Sequence, residues 1–330
     1  MNKRRKLIVA LGAGALAAPF RSFAQPQGKV WRVGILVTND PPIGAVGGLY
    51  DYFLNGLREL GYFEGKNIAI EWRYAENKYE RLPSLAAELV QLRVDVIVTS
   101  GSPAIRAAQN ATATIPIVMG NSGDPVGSGF VKTLAHPGGN ITGLSNLAGD
   151  ISSKHLEMLV ELVPKLSRVF VLVNSDNSSH SAALKSLQVA AGKTGITILP
   201  LEARNPKEIE SAFSTMAKNN AGAVIIIRDG VFNREVRLIA DLAAKARLPA
   251  VGGVREYAMA GGLMSYGQNQ ADNYRYVAIY VDKIFKGAKP ADLPVEQARK
   301  LELFINRKSA KALGLKIPQS LLISADRVIE

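Results

Sequence analysis

The residues that could do chemistry lie in polar turns that directly follow apolar runs rich in Val and Ile. Serine and asparagine side chains there offer hydrogen-bond donors and acceptors, and the turns also carry charges. If the runs are parallel strands, ligands bind beyond their carboxyl ends. The sequence therefore predicts a polar binding site assembled from the following candidates: Ser100, Ser102, Asn121, Asp124, Asn174, Ser178, Arg228, Asp229 and, after a later strand, Tyr266.

The sequence gives little support for a metal, catalytic, phosphate or dinucleotide site. His136, His155 and His180 are isolated in the sequence without metal-ligand spacing, and we expect them at the surface. There is no G-x-S-x-G elbow, and the glycine-rich stretch 120–129 lacks the G-K-[ST] of a phosphate loop. Gly12 to Ala17 fits a dinucleotide fingerprint, but no βαβ unit follows it. We expect no catalytic residue, no cofactor and no metal.

The elements that must position the site alternate between strands and helices. Val33–Val37, Val96–Val98, Val169–Val173 and Val224–Ile227 are continuous apolar runs, which is typical of buried parallel strands. Amphipathic stretches separate them, such as the one with Tyr52, Phe53, Leu57 and Leu60 on one face. This alternation predicts doubly wound parallel sheets.

The series of elements occurs twice in the same order, restarting at Arg168. We therefore expect two α/β lobes with a ligand cleft between them: lobe 1 from residues 30–146 and 262–288, lobe 2 from 147–261 and 289–330. In this assignment the strand-like Leu263 to Gly267 returns to lobe 1. Several crossings between lobes would form a hinge.

The N-terminus is typical of a secretory signal peptide, which we place at residues 1–24. It has a cationic start at Lys3 to Lys6, an apolar run from Leu7 to Phe20 and a small-x-small site at Ser22 to Ala24. The run is too short to span a membrane. Cysteine is absent, which excludes a disulfide framework and a lipobox anchor. We expect a periplasmic protein without a lipid anchor.

The formal net charge is +12, and part of it lies in the predicted signal peptide. The other basic residues are scattered among acids without the runs or interleaved aromatics of nucleic-acid binders. We therefore expect a solvated surface, no nucleic-acid partner and a monomer.

Several motifs resemble one family, the ABC-transporter substrate-binding proteins related to the tryptophan/tyrosine-type periplasmic binding proteins. They run in order through the chain: GNSGDPVGSGF from Gly120, PGGNITG from Pro137, RLPA from Arg247, GGLMSYG from Gly261, KGAKPADLPVE from Lys286, NRKSAKALGL from Asn306 and the ending ADRVIE. The resemblance implies a type I periplasmic-binding-protein fold whose lobes close on a small solute for delivery to a membrane permease and ATPase. Some members bind aromatic amino acids.

An amino-acid ligand needs donors for its carboxylate. Ser100, Ser102 and the N-terminus of the following helix could supply them. Ser102 could instead be a helix N-cap followed by Pro103. Asn174 and Ser178 could donate further bonds, or could belong to a hydrophilic loop that caps the next helix.

The ligand's ammonium needs a carboxylate, and Asp124 is the first candidate because of its place in the family motif. Its alternative is an Asx turn before Pro125. Arg228 and Asp229 could complete the clamp from lobe 2, pair with each other or bridge the lobes. Tyr266 could stack on the ligand or be a hinge residue; Tyr50 and Phe130 are further wall candidates that could equally be packing.

Two other functions stay open on the sequence. The same fold could serve as a periplasmic sensor for a signalling receptor. Alternatively, the cleft could belong to an enzyme that uses Asp124 or Asp229 as a general acid or base.

Overall fold

The structure, a computed structural model, describes residues 29–39, 48–146, 148–297 and 300–330. The predicted signal peptide lies outside these residues. Trp31–Glu330 group into one compact unit. No helix in the described ranges is both long and apolar enough to cross a membrane.

A first sheet is built from buried apolar strands in the first half of the chain. They pair in parallel, in the spatial order β5-β4-β3-β1-β2. The strands are β1 (Trp31–Val37), β2 (Ile68–Tyr74), β3 (Val96–Ser100), β4 (Ile117–Ser122) and β5 (Ile141–Ser145).

A second sheet repeats the pattern. Its parallel part has the order β10-β9-β8-β6-β7. These strands are β6 (Arg168–Val173), β7 (Thr197–Glu202), β8 (Ala223–Ile226), β9 (Ala250–Gly252) and β10 (Met264–Gln268). Then β11 (Glu296–Gln297) joins the first sheet beside β5, while β12 (Leu301–Asn306) and β13 (Arg327–Ile329) extend the second.

Helices cover both faces of each sheet. The helices of the first half are α1 (Leu49–Glu59), α2 (Leu82–Gln91), α3 (Ser102–Ala111) and α4 (Ala148–Leu162). The later ones are α5 (Ser179–Gly192), α6 (Pro206–Lys218), α7 (Gly230–Arg234), α8 (Val236–Lys245), α9 (Arg255–Met259), α10 (Gln270–Phe285), α11 (Arg307–Ala312) and α12 (Gln319–Ser324).

Apolar cores lie on both faces of each sheet because successive residues of a strand point to opposite sides. In β1, Val33 and Ile35 belong to the core shared with α1 and α10, whereas Leu36 belongs to the one shared with α2 and α3. These side chains are fully buried. Each such burial contributes about 1.5–3 kcal/mol. The predicted architecture of two doubly wound lobes is confirmed.

The predicted lobe boundaries need two corrections. Strand β10 does not return to the first sheet; it pairs with β9 and β12 in the second, because the short connection through α9 keeps it beside β9. The element that returns is α10, which packs on α1. Residues after 288 also stay with the first sheet until β11 has paired with β5. The chain thus passes between sheets after β5, after β10 and after β11.

Candidate ligand site between the two sheets

A cavity of about 90 Å³ lies where the carboxyl ends of the two sets of strands face each other. Ser100 and Asn121 reach it from the ends of β3 and β4, and Arg228 and Asp229 reach it just after β8. Five of the residues selected from the sequence therefore meet at one place: Ser100, Ser102, Asn121, Arg228 and Asp229.

The first lobe presents the N-terminus of α3. Gly101, with φ at +85°, is the N-cap residue, so Ser102 is the first helical residue and makes no capping hydrogen bond. The Ser102 hydroxyl is buried and has no hydrogen-bond partner among the described residues. Ser102 is therefore not the N-cap, which was the alternative role considered from the sequence. The helix N-terminus and this hydroxyl form an anion-type donor set.

Ser100 and Asn121 extend this surface. Ser100 Oγ accepts a hydrogen bond of 3.0 Å from the Tyr274 hydroxyl. Asn121 Oδ1 is buried without a partner within the described ranges. The two strand ends lie close because Gly120 carries no side chain, as a β-carbon there would come within 2.5 Å of Ser100 Oγ.

Asp229 is the carboxylate of the site. It is 2% exposed and accepts hydrogen bonds from Asn174 Nδ2 (3.1 Å), Asn177 Nδ2 (2.9 Å) and Val231 N (2.9 Å). The Tyr79 hydroxyl of the first lobe lies 3.3 Å from its Oδ1. Burial, and then the Asp229 carboxylate, raise the pKa of Tyr79, so that it stays a donor. The hydrogen-bond donors to Asp229 among the described residues are all neutral, so its negative charge remains available to a cation.

Arg228 is buried beside it. Its Nη2 donates to Gln270 Oε1 at 2.6 Å, and burial lowers the pKa of the guanidinium. No ion pair between described residues joins Arg228 to Asp229, so the two do not neutralise each other as one alternative proposed. Arg228 links the lobes instead, because Gln270 is the first residue of α10.

His180 fixes the backbone of this corner and corrects the expectation of surface histidines. It is 3% exposed, its Nδ1 accepts from Asn174 N (2.9 Å), and Nε2 lies 3.1 Å from the Arg228 carbonyl oxygen. The carbonyl can only accept, so Nε2 carries the proton. Burial lowers the pKa of His180, against the opposite effect of Asp229. His155 is also buried, whereas His136 is exposed.

The other predicted residues lie outside the cavity. Asp124 accepts from Gly127 N at 2.8 Å, which is the Asx turn considered as its alternative. Ser178 contacts Ser128 of the first lobe, Oγ to Oγ 3.0 Å. Asn174 is buried behind Asp229 as its donor.

The predicted aromatic wall is also placed elsewhere. The Tyr266 ring packs edge-on against His155. Tyr50 packs against Trp72 and Tyr274, and Phe130 lies in the first-lobe core.

Sequence reasoning missed several residues that line the cavity: Tyr79, Asn146, Asn177, Asn233 and Tyr274. Asn177 lies within a turn that the sequence had identified. Asn146 directly follows the strand Ile141–Ser145, so the rule applied to other strand ends could have found it. Nothing local indicates Tyr79 or Tyr274, which reach the cavity only through the tertiary fold.

Comparison with known proteins also indicates a ligand-binding protein. The family model described as ABC transporter substrate binding protein matches residues 35–329. A tyrosine-binding protein of Clostridioides difficile (strain R20291) is 26% identical over 277 residues, which are 84% of this chain and 78% of that protein.

Two solved structures are similar in fold and sequence. A conserved domain protein from Vibrio cholerae has a TM-score of 0.84 at 28% identity, covering 91% of this chain and all of the other. An ABC domain in complex with L-Trp from Streptococcus pneumoniae has a TM-score of 0.82 at 26% identity, covering 91% of this chain and 99% of that one. The two lobes have the type I periplasmic-binding-protein fold, and the chain belongs to the family of ABC transporter substrate binding proteins.

Proposed function

We propose that this protein is the periplasmic component of an ABC importer and binds an amino acid, with an aromatic side chain, in the cleft between its lobes. The observation that carries the proposal is the pairing of two opposite recognition surfaces across one cavity. An anion-type donor set lies on the first lobe and a buried carboxylate, Asp229, on the second. An α-amino acid is a zwitterion that matches both.

The carboxylate of the ligand binds at the N-terminus of α3. The helix dipole and free backbone N–H groups favour a negative charge there. The Ser102 hydroxyl, buried without a partner among the described residues, gains an acceptor. Ser100 keeps the hydrogen bond that it accepts from Tyr274, and its hydroxyl can donate a hydrogen bond to the same carboxylate.

The ammonium of the ligand binds Asp229. Among the described residues its Oδ2 accepts a hydrogen bond from Asn177 alone, which leaves a second acceptor position for an N–H of the ligand. A charge-assisted hydrogen bond of this kind is worth about 1.5–3 kcal/mol. Asn174 and Asn177 hold the carboxylate in place.

Contacts across the cleft support hinge closure. The bonds Tyr79 to Asp229, Ser128 to Ser178 and Arg228 to Gln270 each join the lobes. A ligand that touches both lobes binds the closed form preferentially and shifts the equilibrium toward it. The ligand's own carboxylate and ammonium would add to these bridges.

The relatives support the ligand class. One is a tyrosine-binding protein, and another structure is a complex with L-Trp. The family implies an ABC permease and ATPase as partners, and it consists of solute-binding proteins rather than enzymes. We further propose that residues 1–24 direct export and are removed, that the protein contacts the membrane only through the permease, and that it is a monomer.

A thermal-shift screen of the chain from Gln25 against the common amino acids tests the proposal. A ligand at a hundredfold excess over Kd adds about 2.7 kcal/mol to stability. For a protein of this size that raises Tm by roughly 2–4 °C per kcal/mol. We expect a selective shift with aromatic amino acids. A shift with sugars or purines and none with amino acids would contradict the assignment.

A further inference from the structure

A second, smaller cavity of about 20 Å³ adjoins the ligand cavity. The two share Asn146, Ala148 and Arg228 as lining residues. The smaller one continues into the second lobe toward His155 of α4. Its volume admits a group of one or two heavy atoms. We call it the His155 chamber.

His155 lines this chamber and has a ring nitrogen, Nδ1, that can accept a hydrogen bond. The residue is 2% exposed, and its Nε2 lies 2.7 Å from the Tyr266 carbonyl oxygen. A carbonyl only accepts, so Nε2 carries the proton and Nδ1 has none. Burial lowers the pKa of His155 to about 4, so the ring is neutral at physiological pH. Nδ1 has no hydrogen-bond partner among the described residues.

Asn146 adds a second acceptor. It is 8% exposed, and its Oδ1 is also without a partner in the part of the chain that the structure describes. Buried polar atoms are normally hydrogen-bonded, because an unmade bond costs free energy. Two unpartnered acceptors at the same chamber therefore indicate a donor that enters it. Arg228 lies beside them and can donate in turn.

We propose that His155 and Asn146 form a subsite that binds a neutral hydrogen-bond donor, the phenolic hydroxyl of tyrosine, at the far end of the ligand's side chain. A hydroxyl donates to one of these acceptors and can accept from Arg228. A carboxylate at this position has no proton to donate, and an ammonium would lie beside the Arg228 guanidinium. The inference rests on the proposed function, since it extends the same cleft.

Calorimetric titration with L-tyrosine and L-phenylalanine tests the subsite, because the two ligands differ only by the hydroxyl. We expect phenylalanine to bind the wild-type protein at least about tenfold more weakly. His155→Phe retains a planar ring but removes the acceptor. In this variant the affinity for tyrosine should fall toward that for phenylalanine, while the affinity for phenylalanine changes little.

A general loss of structure would weaken the binding of both ligands. Loss of the subsite would instead lower the ratio of the dissociation constant for phenylalanine to that for tyrosine. Asn146→Leu, a change of similar volume, should reduce the ratio as well and serves if His155→Phe does not fold. His136→Phe places the same change at an exposed histidine and should leave the ratio intact. Equal binding of both ligands to the wild type, or a ratio that survives in both variants, would overturn the subsite alone. Failure of every amino acid to bind would overturn the proposed function and the subsite together.

Discussion

At the scale of single residues, Asp229 is the group on which the proposed recognition depends most. Asp229→Asn keeps the shape of the side chain but removes the charge that attracts the ammonium. The new amide also meets donors on Asn174 and Asn177 where the carboxylate accepted them. We expect amino-acid affinity to fall by about tenfold to a hundredfold, the equivalent of a charge-assisted hydrogen bond. Calorimetric titration measures this change.

The matched control is Asp241→Asn, which makes the same substitution on the exposed face of α8. It should leave the dissociation constant unchanged. Melting of the ligand-free variants shows whether Asp229→Asn still folds, since Asp229 also caps α7 through Val231 N. Wild-type affinity in a folded Asp229→Asn protein would remove Asp229 from the site.

Individual site residues were predictable where a strand end alone determines their position. Ser100 and Asp229 follow buried runs and line the cavity as expected. Asp124 also follows a buried strand, but its turn directs the carboxylate to Gly127 N instead. The burial of His155 could have been predicted, because Ser152, His155, Leu156 and Leu159 have the spacing of one buried helix face. Considering only its immediate sequence neighbours led to the expectation that it is exposed.

At the scale of elements, the proposed closure of the lobes depends on the close approach of the β4 end to α5. A β-carbon added at Gly123 would lie 2.6 Å from Cβ of Ser179, the first residue of α5. Gly123→Ala should therefore hold the lobes apart. Overpacking of this kind costs about 1–3 kcal/mol, which would weaken ligand binding roughly fivefold to more than a hundredfold. Small-angle scattering with saturating ligand should give a larger radius of gyration than the wild type.

Gly192→Ala provides the comparison on the same helix, because apart from the adjacent backbone of α5 nothing described lies within 4 Å of the added β-carbon. Affinity and radius of gyration should match the wild type. If Gly123→Ala also binds and compacts like the wild type, the lobes do not need this close contact in the ligand-bound form.

The strands and helices were largely predictable because continuous Val and Ile runs alternate with amphipathic stretches. The placement of β10 was not. Its short sequence fits either sheet. The assignment depends on pairing with β9, which has only three residues, and with β12, which is distant in sequence. Helix α10 lies within the range 262–288 that the sequence assigned to lobe 1, and its packing against α1 agrees with that assignment.

At the scale of the whole molecule, the repeated series of elements predicted two lobes and a cleft without any pair of contacts being known. The repeat works because each series supplies the central strands of one sheet and most of the helices that cover it. It could not predict how the cleft is lined. Tyr79 reaches Asp229 and Tyr274 reaches Ser100 only after the lobes and the returning helix have packed.

The buried histidines also give the whole protein a dependence of stability on pH. The pKa of His155 is about 4 in the folded protein against an ordinary value of 6.5, and burial lowers the pKa of His180 as well. Between these pH values the unfolded chain binds protons that the folded protein does not. The free energy of unfolding should therefore be highest above pH 6.5 and fall toward pH 4. Each histidine that is protonated in the unfolded chain and neutral in the folded protein lowers it by about 1.4 kcal/mol per pH unit.

Urea unfolding from pH 7.5 to 4.5 measures this slope. Carboxylates also titrate in the acidic part of the range, so the informative quantity is the difference between variants. His155→Gln removes a buried titrating group and should flatten the decline below pH 6.5, whatever it does to stability at pH 7.5. His136→Gln removes an exposed histidine and should leave the profile parallel to that of the wild type. Parallel profiles for both variants would mean that His155 binds its proton equally well in the folded and unfolded chain, which would contradict its burial as a neutral acceptor.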